Sequence, residues 1–405
     1  MNARLVWFFS LCGFAAIFSS TLSKTPTLPL FASHLGANDA QVGLIAAAST
    51  IPGLFVSYLA GALADRYSWK KILLVSLLVF VTAPLLYLWV YEPWQLAAAR
   101  FYHGVATAAF APVALAAVAA AGGARRGEML AVFTSSTMAG RALAPFLGGL
   151  LLASWGFESV FLLCAAAGLA ALALGTMLRD GQEGRGGKEV VKGRGEKEAA
   201  AAGNEGLFEV LRSLLQNRGF LMVGGVEAAV FFAYGAFEVM FPLFARHLGL
   251  PVWQIGAVMG IQLAGVIFLK PVFGRVSDRV GRIPLILAGL ALSALSAAAV
   301  PIWCTLYGFV LLSFGFGLGF ALVTSGTRPL AAELVESGKR GAALGGLATM
   351  MDIGQVLGPP AAGLAALIAG YRAAFGLVAV LPAAALLLSL YFVHKHKSFQ
   401  TASRA

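Results

Sequence analysis

Apolar residues run along this chain in long blocks separated by short polar breaks. Twelve blocks can be marked, at 5–33, 40–64, 71–91, 94–119, 128–154, 158–178, 218–246, 252–276, 283–302, 304–333, 341–368 and 372–394. Crossing the hydrocarbon core takes about 20 predominantly apolar residues in a helix, and the blocks meet that requirement. The one long polar break, Arg179 to Arg218, is dominated by Gly, Lys and Glu and reads as a flexible or partly helical linker. The first block runs on through Leu28 to Phe31, too far for the short apolar region of a signal peptide, so it reads as an uncleaved first span. The pattern predicts an all-α membrane protein with a first half at 1–179, a linker at 180–217, a second half at 218–396 and a tail at 397–405.

The halves repeat. Leu-Phe-Ala-Ser-His-Leu-Gly starting at Leu30 returns as Leu-Phe-Ala-Arg-His-Leu-Gly starting at Leu243, an offset of 243 − 30 = 213. Gly61 to Arg66 returns as Gly274 to Arg279, again 274 − 61 = 213. Arg126-Gly127 matches Arg340-Gly341, and Ala144-Pro145 matches Gly358-Pro359, both offset by 214. An even number of spans per half leaves both halves in the same orientation, which predicts two six-helix bundles in parallel pseudo-repeat.

Composition and charge refine this. Of the 405 residues 59% are hydrophobic and 12% charged, half the charge of an ordinary soluble domain. The net charge of +11 does not lie in a polar basic segment that would suit nucleic acid. It collects in alternate short loops: Arg66, Lys70 and Lys71; Arg125 and Arg126; the linker; Arg279 and Arg282; Lys339 and Arg340; Lys395, Lys397 and Arg404. The other loops hold only Arg246 and Arg372, which predicts both termini in the cytoplasm of a multi-pass protein of the inner or plasma membrane. Cys12, Cys164 and Cys304 stand singly in apolar runs, with neither metal-binding nor disulfide spacing, and read as small hydrophobes within helices.

Three motifs carry a resemblance to the major facilitator superfamily over almost the whole length. The loop signature G-x-x-x-D-R/K-x-G-R/K appears as Gly61, Asp65 and Arg66 followed by Lys70, with Ser68-Trp69 where Gly-Arg/Lys is usual. It returns intact as Gly274, Asp278, Arg279, Gly281 and Arg282. An Arg-x-x-x-Gly signature in the fourth span appears as Arg100 to Gly104. A glycine-proline signature in the fifth span appears as Gly140, Ala144-Pro145 and Gly148-Gly149; the eleventh span has Gly354, Gly358-Pro359-Pro360 and Gly363. The resemblance implies the major facilitator fold, a loop cluster that latches one bundle against the other on the cytoplasmic side, and alternating access. Within the superfamily the fifth-span signature is associated with antiporters, especially drug:proton exporters. Ala144 stands where its second glycine is usual. Close helix packing alone is the other reading of these glycines.

Ionisable residues inside the spans are functional candidates because a charge in hydrocarbon costs several kcal/mol. The third, sixth, ninth and twelfth spans, expected outside in this fold, have none at mid-span. The others hold Lys24, Arg100, Arg141, Glu227, Glu238, Lys270, Arg328 and Asp352, which fits a central aqueous cavity. Glu227, Tyr234 and Glu238 share one helical face, as do Arg100, His103 and Thr107. Lys24 sits beside Pro26 and Pro29, where freed carbonyls need partners. The candidate substrate and coupling cavity is therefore Lys24, Arg100, His103, Arg141, Glu227, Tyr234, Glu238, Arg328 and Asp352.

Bland readings stand beside these. Arg100 and Asp352 could neutralise each other, Lys24 and Glu238 could form a plain salt bridge, and Lys270 and Arg328 could snorkel. His103 could be a packed neutral histidine, and His34 and His247 could be structural caps. Glu238, then Glu227, are the candidate proton carriers. No G-x-x-x-x-G-K-[ST] loop, H-E-x-x-H or nucleophile elbow is present, so neither ATP-driven pumping, a metal, a cofactor nor an enzyme is expected. The leading expectation is a monomeric, proton-coupled exporter of small amphiphilic or drug-like compounds. An organic-anion or metabolite permease is the alternative, because five basic residues in the spans face three acids; a non-transporting membrane sensor is a remote one.

Overall fold

A computed structural model describes residues 3–56, 68–122, 125–178 and 207–395 of the chain. In the first half the helices are α1 (Ala3–Leu22), α2 (Thr27–His34), α3 (Asp39–Ala48), α4 (Trp69–Tyr87), α5 (Pro93–Gly122) and α6 (Arg126–Met177). α7 (Leu207–Gln216) follows, and the second half has α8 (Arg218–His247), α9 (Val252–Val280), α10 (Arg282–Ala299), α11 (Leu306–Glu333) and α12 (Arg340–Lys395). Among the described residues, ten stretches are long and apolar enough to cross a membrane.

Twelve crossings come from ten because α6 and α12 each hold two. Gly156 (φ 77°, ψ −174°) kinks α6 and Gly370 (φ 78°, ψ 174°) kinks α12, at an offset of 370 − 156 = 214. Positive φ with extended ψ is open to glycine and strained for any side chain, so one residue reverses the helix where a loop is expected from sequence. Gly36 (φ 83°) and Gly249 (φ 82°) repeat in the same way at 249 − 36 = 213, each ending the helix before a new one capped by Asn38 or preceded by Pro251. The repeat seen in sequence is thus a repeat of turns.

The first span is broken, as its prolines imply. α1 stops at Leu22, α2 starts at Thr27, and the Thr27 hydroxyl donates to the Leu22 carbonyl at 2.9 Å. Within the linker, α7 lies against the second half, with Leu214 in its apolar core beside Phe220. Cys12 and Cys164 are buried, but Cys304 is exposed in the turn between α10 and α11 and so is not a helical core residue.

Lipid is as apolar as a leucine side chain, so these helices gain little by hiding apolar surface from each other and depend on close backbone approach. Gly140 lies on α1, where a Cβ would stand 2.7 Å from the Phe14 carbonyl oxygen; Gly148 lies on Leu22 of the same helix. Gly354 and Gly358 lie on the α8 backbone at Ala228 and Phe232. Other small residues join the halves. A Cβ on Gly149 would meet the Gly256 Cα at 2.8 Å, one on Gly363 the Ala40 Cα at 3.1 Å, and one on Gly43 the Pro360 Cα at 2.9 Å.

The bundle has two distinguishable ends. The basic end carries Arg125, Arg126, Arg279, Arg282, Lys339 and Arg340; the opposite end carries the turns at Gly36, Gly156, Gly249 and Gly370. The close approaches between halves lie towards the opposite end: α3 on α12 and α6 on α9. There the Tyr371 hydroxyl also donates to Asp39 Oδ1 at 3.1 Å, linking residues 332 apart in sequence. At the basic end, three polar ties each stay within one half: Lys70 Nζ to the Thr176 carbonyl, Asn217 Nδ2 to the Leu334 carbonyl, and Arg282 to Glu333.

Candidate functional site

The break in the first span positions Lys24, and its ammonium reaches across to α8. Lys24 Nζ lies 3.0 Å from Glu238 Oε2, with side chains 31% and 11% exposed. The ammonium stands off the direction a hydrogen bond would take, so Oε2 has charge compensation without a directed bond. Aromatic rings frame this region. Phe237 stacks on Phe241 and Phe316, and Tyr234 lies 4.2 Å from the Phe320 ring. Few dipoles there can replace water around either charge, so each depends on its partner.

From Glu238 a polar seam continues towards the basic end. Tyr234, buried one turn earlier on α8, interacts electrostatically with Glu238 and with Arg141 of α6. Arg141 also interacts with Lys270 of α9, and Lys270 with Arg328 of α11 and Glu227 of α8. Arg141 is exposed, and the groups it interacts with, Tyr234 and Lys270, belong to the other half. The seam at this level therefore runs along the junction of the halves.

Glu227 is 1% exposed and accepts a 2.6 Å bond from the Thr327 hydroxyl on α11. One residue on, Arg328 is exposed and its Nη2 lies 3.9 Å from Met351 Sδ of α12. Ser325 on the same turn donates to the Ala321 carbonyl of its own helix at 2.7 Å, and its hydroxyl lies 3.3 Å from the Lys270 carbonyl, which sets α11 beside α9. The shared face of Glu227 and Glu238 therefore serves two environments: one carboxylate turns to α11 and the other to the first half.

Arg100 and His103 form a separate buried network. Arg100 Nη1 donates to the Tyr87 hydroxyl at 3.2 Å and Nη2 to Ser49 Oγ at 3.0 Å; Tyr87 shares a 2.8 Å bond with His103 Nδ1. Arg100 Nε and His103 Nε2 are buried without partners. Thr107 bonds back to the His103 carbonyl. Arg100 is thus held by hydroxyls and not by Asp352. Asp352 is half-buried on α12 and, among the described residues, makes no hydrogen bond or ion pair. Of the two histidines at the opposite end, His34 lies 5.3 Å from the Phe157 ring and His247 5.5 Å from Tyr371.

The loop signature is described in part. Gly61, Asp65 and Arg66 lie outside the described residues. In the second copy Gly281 adopts φ 100°, and Arg282 bonds Asp278, Ser277 Oγ at 3.1 Å and Glu333 at 3.2 Å, so the cluster ties α10 to α11 within one half. Gly274 and the exposed Arg279 flank it on the last turns of α9. Ser68, at the position of Gly281 in the first copy, has φ −65° and ψ 126° and needs no left-handed residue. That explains how the first copy dispenses with its glycine. Pro145 and Pro359 are buried, and the Pro145 carbonyl faces Gly256.

Thr327, Tyr87, Ser49, Asp39 and Tyr371 were not singled out by sequence reasoning. Hydroxyls and a loop-edge aspartate carry no signal until the long-range packing supplies their partners. A shallow recess of about 360 Å³ at the opposite end, lined by His247, Cys304 and Tyr371 among others, lies beyond the closed contacts and is not the candidate site. No group of three or more His, Cys, Asp or Glu able to hold a metal occurs among the described residues.

The fold and the seam define a polytopic membrane transporter of two six-helix halves. The Major Facilitator Superfamily pattern matches residues 9–261 and again 225–404, and the chain belongs to that superfamily. It is 22% identical over 346 residues, 85% of this chain and 87% of the other, to an uncharacterized MFS-type transporter of Methanocaldococcus jannaschii. It is 24% identical over 388 residues to the multi-drug resistance efflux pump PmrA of Streptococcus pneumoniae, covering 92% and 91%. Among solved structures, a bacterial homolog of the human lysosomal transporter Spinster, inward-facing and unoccupied, superposes with a TM-score of 0.74 at 16% identity over 99% and 97% of the two chains.

Proposed function

We propose that the chain is a proton-coupled secondary exporter of small amphiphilic compounds that works by alternating access. In this reading it acts as a monomer in the inner or plasma membrane, with its basic end in the cytoplasm. The closed opposite end then makes this the inward-open state, with the seam reachable from the cytoplasm.

One observation carries the proposal: the Lys24–Glu238 ion pair bridges the two halves at the end that is closed. Glu238 is the proton carrier in this scheme: it faces Lys24 and gives its proton to the cytoplasmic side while that end is closed, and it is parted from Lys24 and loaded from the outer side when that end opens. Each cycle moves one proton inward at this group. Substrate bound between the halves must offset the lost ion pair in the outward swing, so empty, deprotonated protein stays put. Ligand and proton thereby both favour the swing that parts Lys24 from Glu238, and exchange requires that they occupy the protein in turn. The efflux pump named above and the fifth-span glycine signature support export; the Arg282 cluster, tied within one half in this state, is free to engage the first half when the basic end closes.

Proteoliposomes with an imposed pH gradient test this. Wild type should accumulate an amphiphilic dye against its gradient, whereas Glu238→Gln should support only downhill movement. Undiminished uphill transport by Glu238→Gln would remove Glu238 from the coupling step.

A further inference from the structure

The five cations inside the spans fall into three groups. Lys24 is committed to Glu238, and Arg100 is 4% exposed and bonded to Tyr87 and Ser49. Arg141, Lys270 and Arg328 make no ion pair with any described residue, yet Lys270 of α9 interacts with Arg141 of α6 and Arg328 of α11, and both arginines are exposed. The carboxylate with which Lys270 and Arg328 interact, Glu227, is buried and its Oε2 is already engaged by Thr327. Lys270 interacts with Arg141, Arg328 and Glu227, and these four groups together carry a net charge of +2 when all are ionised. Snorkelling does not account for them. Lys270 is flanked by charged residues from three other helices, and Arg141 interacts with Lys270 and Tyr234 of the second half.

Unneutralised cations at membrane depth are costly unless water or an anion attends them. Two guanidiniums with exposed edges, one from each half, offer forked donors suited to a carboxylate, sulfonate or phosphate, and Lys270 between them adds a point charge. We propose that Arg141, Lys270 and Arg328 bind the anionic group of the solute this protein carries, so that its substrates are amphiphilic anions. This rests on the transport reading above and names its substrate class. The site draws ligands from both halves, so an anion held there shifts as they move, and the single buried Glu227 sets the excess charge.

The test is equilibrium binding without a proton gradient, so a failure of proton coupling leaves it standing, and its own failure leaves coupling untouched. Full-length protein in phosphatidylcholine nanodiscs is titrated calorimetrically with octanoate and with octanamide, which differ in charge but share a tail. Octanoate should bind about tenfold or more tightly than octanamide, the discrimination of one charge-assisted pair. Arg328→Gln and Arg141→Gln should each erase most of that preference, and added salt should weaken it. Glu227→Gln should tighten octanoate binding, a gain that misfolding cannot mimic. Equal affinities for the two probes, or a Glu227→Gln variant that binds octanoate no better, would overturn the proposal. Loss of octanoate binding in discs containing phosphatidylglycerol would assign the site to a lipid headgroup and overturn its role in choosing substrate.

Discussion

Replacing Gly256 by alanine puts one methyl group where the backbones of the two halves touch. Its Cβ would lie 2.5 Å from the Pro145 carbonyl oxygen, 2.7 Å from the Gly149 Cα and 3.0 Å from the Gly149 nitrogen. Carbon atoms pack best at about 3.5–4.0 Å, so α6 and α9 must part by roughly 1 Å. All three obstacles are backbone, and none can rotate away. Overpacking of this kind costs about 1–3 kcal/mol. Under the proposed alternating access the cost falls only on the state in which this end is closed. The whole of it therefore appears in the conformational equilibrium, as a shift of about 5- to 150-fold towards opening at that end. Gly260, one turn further along the same helix, supplies the control: its added Cβ would meet Phe146 Cβ at 3.5 Å, an ordinary contact. Spin labels at Tyr91 and Ile302, both exposed at the closed end on opposite halves, report the change by pulsed dipolar distance measurement, in a background with Cys304→Ser. Gly256→Ala should populate a longer distance and Gly260→Ala should not. Indistinguishable distance distributions for the two variants, both folded, would refute the reasoning.

Tyr371→Phe removes the hydroxyl that ties Asp39 across the same end, in a half-buried setting, and should shift the same equilibrium, read by the label distances, about fivefold, for a bond worth about 1 kcal/mol. No shift would mean that the bond does not hold this end shut. Thr327→Val withdraws the 2.6 Å bond to Glu227 and should cost about 1.5–3 kcal/mol with the carboxylate charged, read as a lowered melting temperature. That loss should shrink in a Glu227→Gln background; full additivity would show that the two side chains are not coupled. Tyr87→Phe strands Arg100 Nη1 and His103 Nδ1 in a buried site and should cost about 2 kcal/mol or more, whereas Tyr91→Phe, on an exposed side chain, should leave the melting temperature unchanged.

The span pattern, the half-repeat and the family were legible because they rest on local features: runs of apolar residues, turn glycines and loop charges. The breaks at 155–157 and 369–371 were legible too, but not how tight they are: one left-handed glycine, Gly156 or Gly370, reverses each helix. Their shared offset of 214 was the available signal. Within the candidate site, Lys24, Glu238, Arg141, Glu227 and Arg328 were found because a charge at membrane depth announces itself. Their partners did not. Thr327 and Tyr371 are ordinary residues in sequence, and their roles arise from helix contacts 100 and 332 residues away. Charge identity was readable, but its sorting was not: Arg100 proved to be a hydroxyl-bonded buried group, whereas Arg141 and Arg328 are exposed.

The central claim is that the polar seam opens to water between the halves, and the residue best placed to report it is Met351, beside Arg328 on α12. A single cysteine at this position, with native cysteines replaced, is treated with a membrane-impermeant thiol reagent from each side of sealed vesicles. Labelling from the side bearing the basic loops, protected from the opposite side, is the expected result for resting protein. Labelling from neither side, with ready reaction towards a lipid-soluble reagent, would place the seam in lipid and contradict the account.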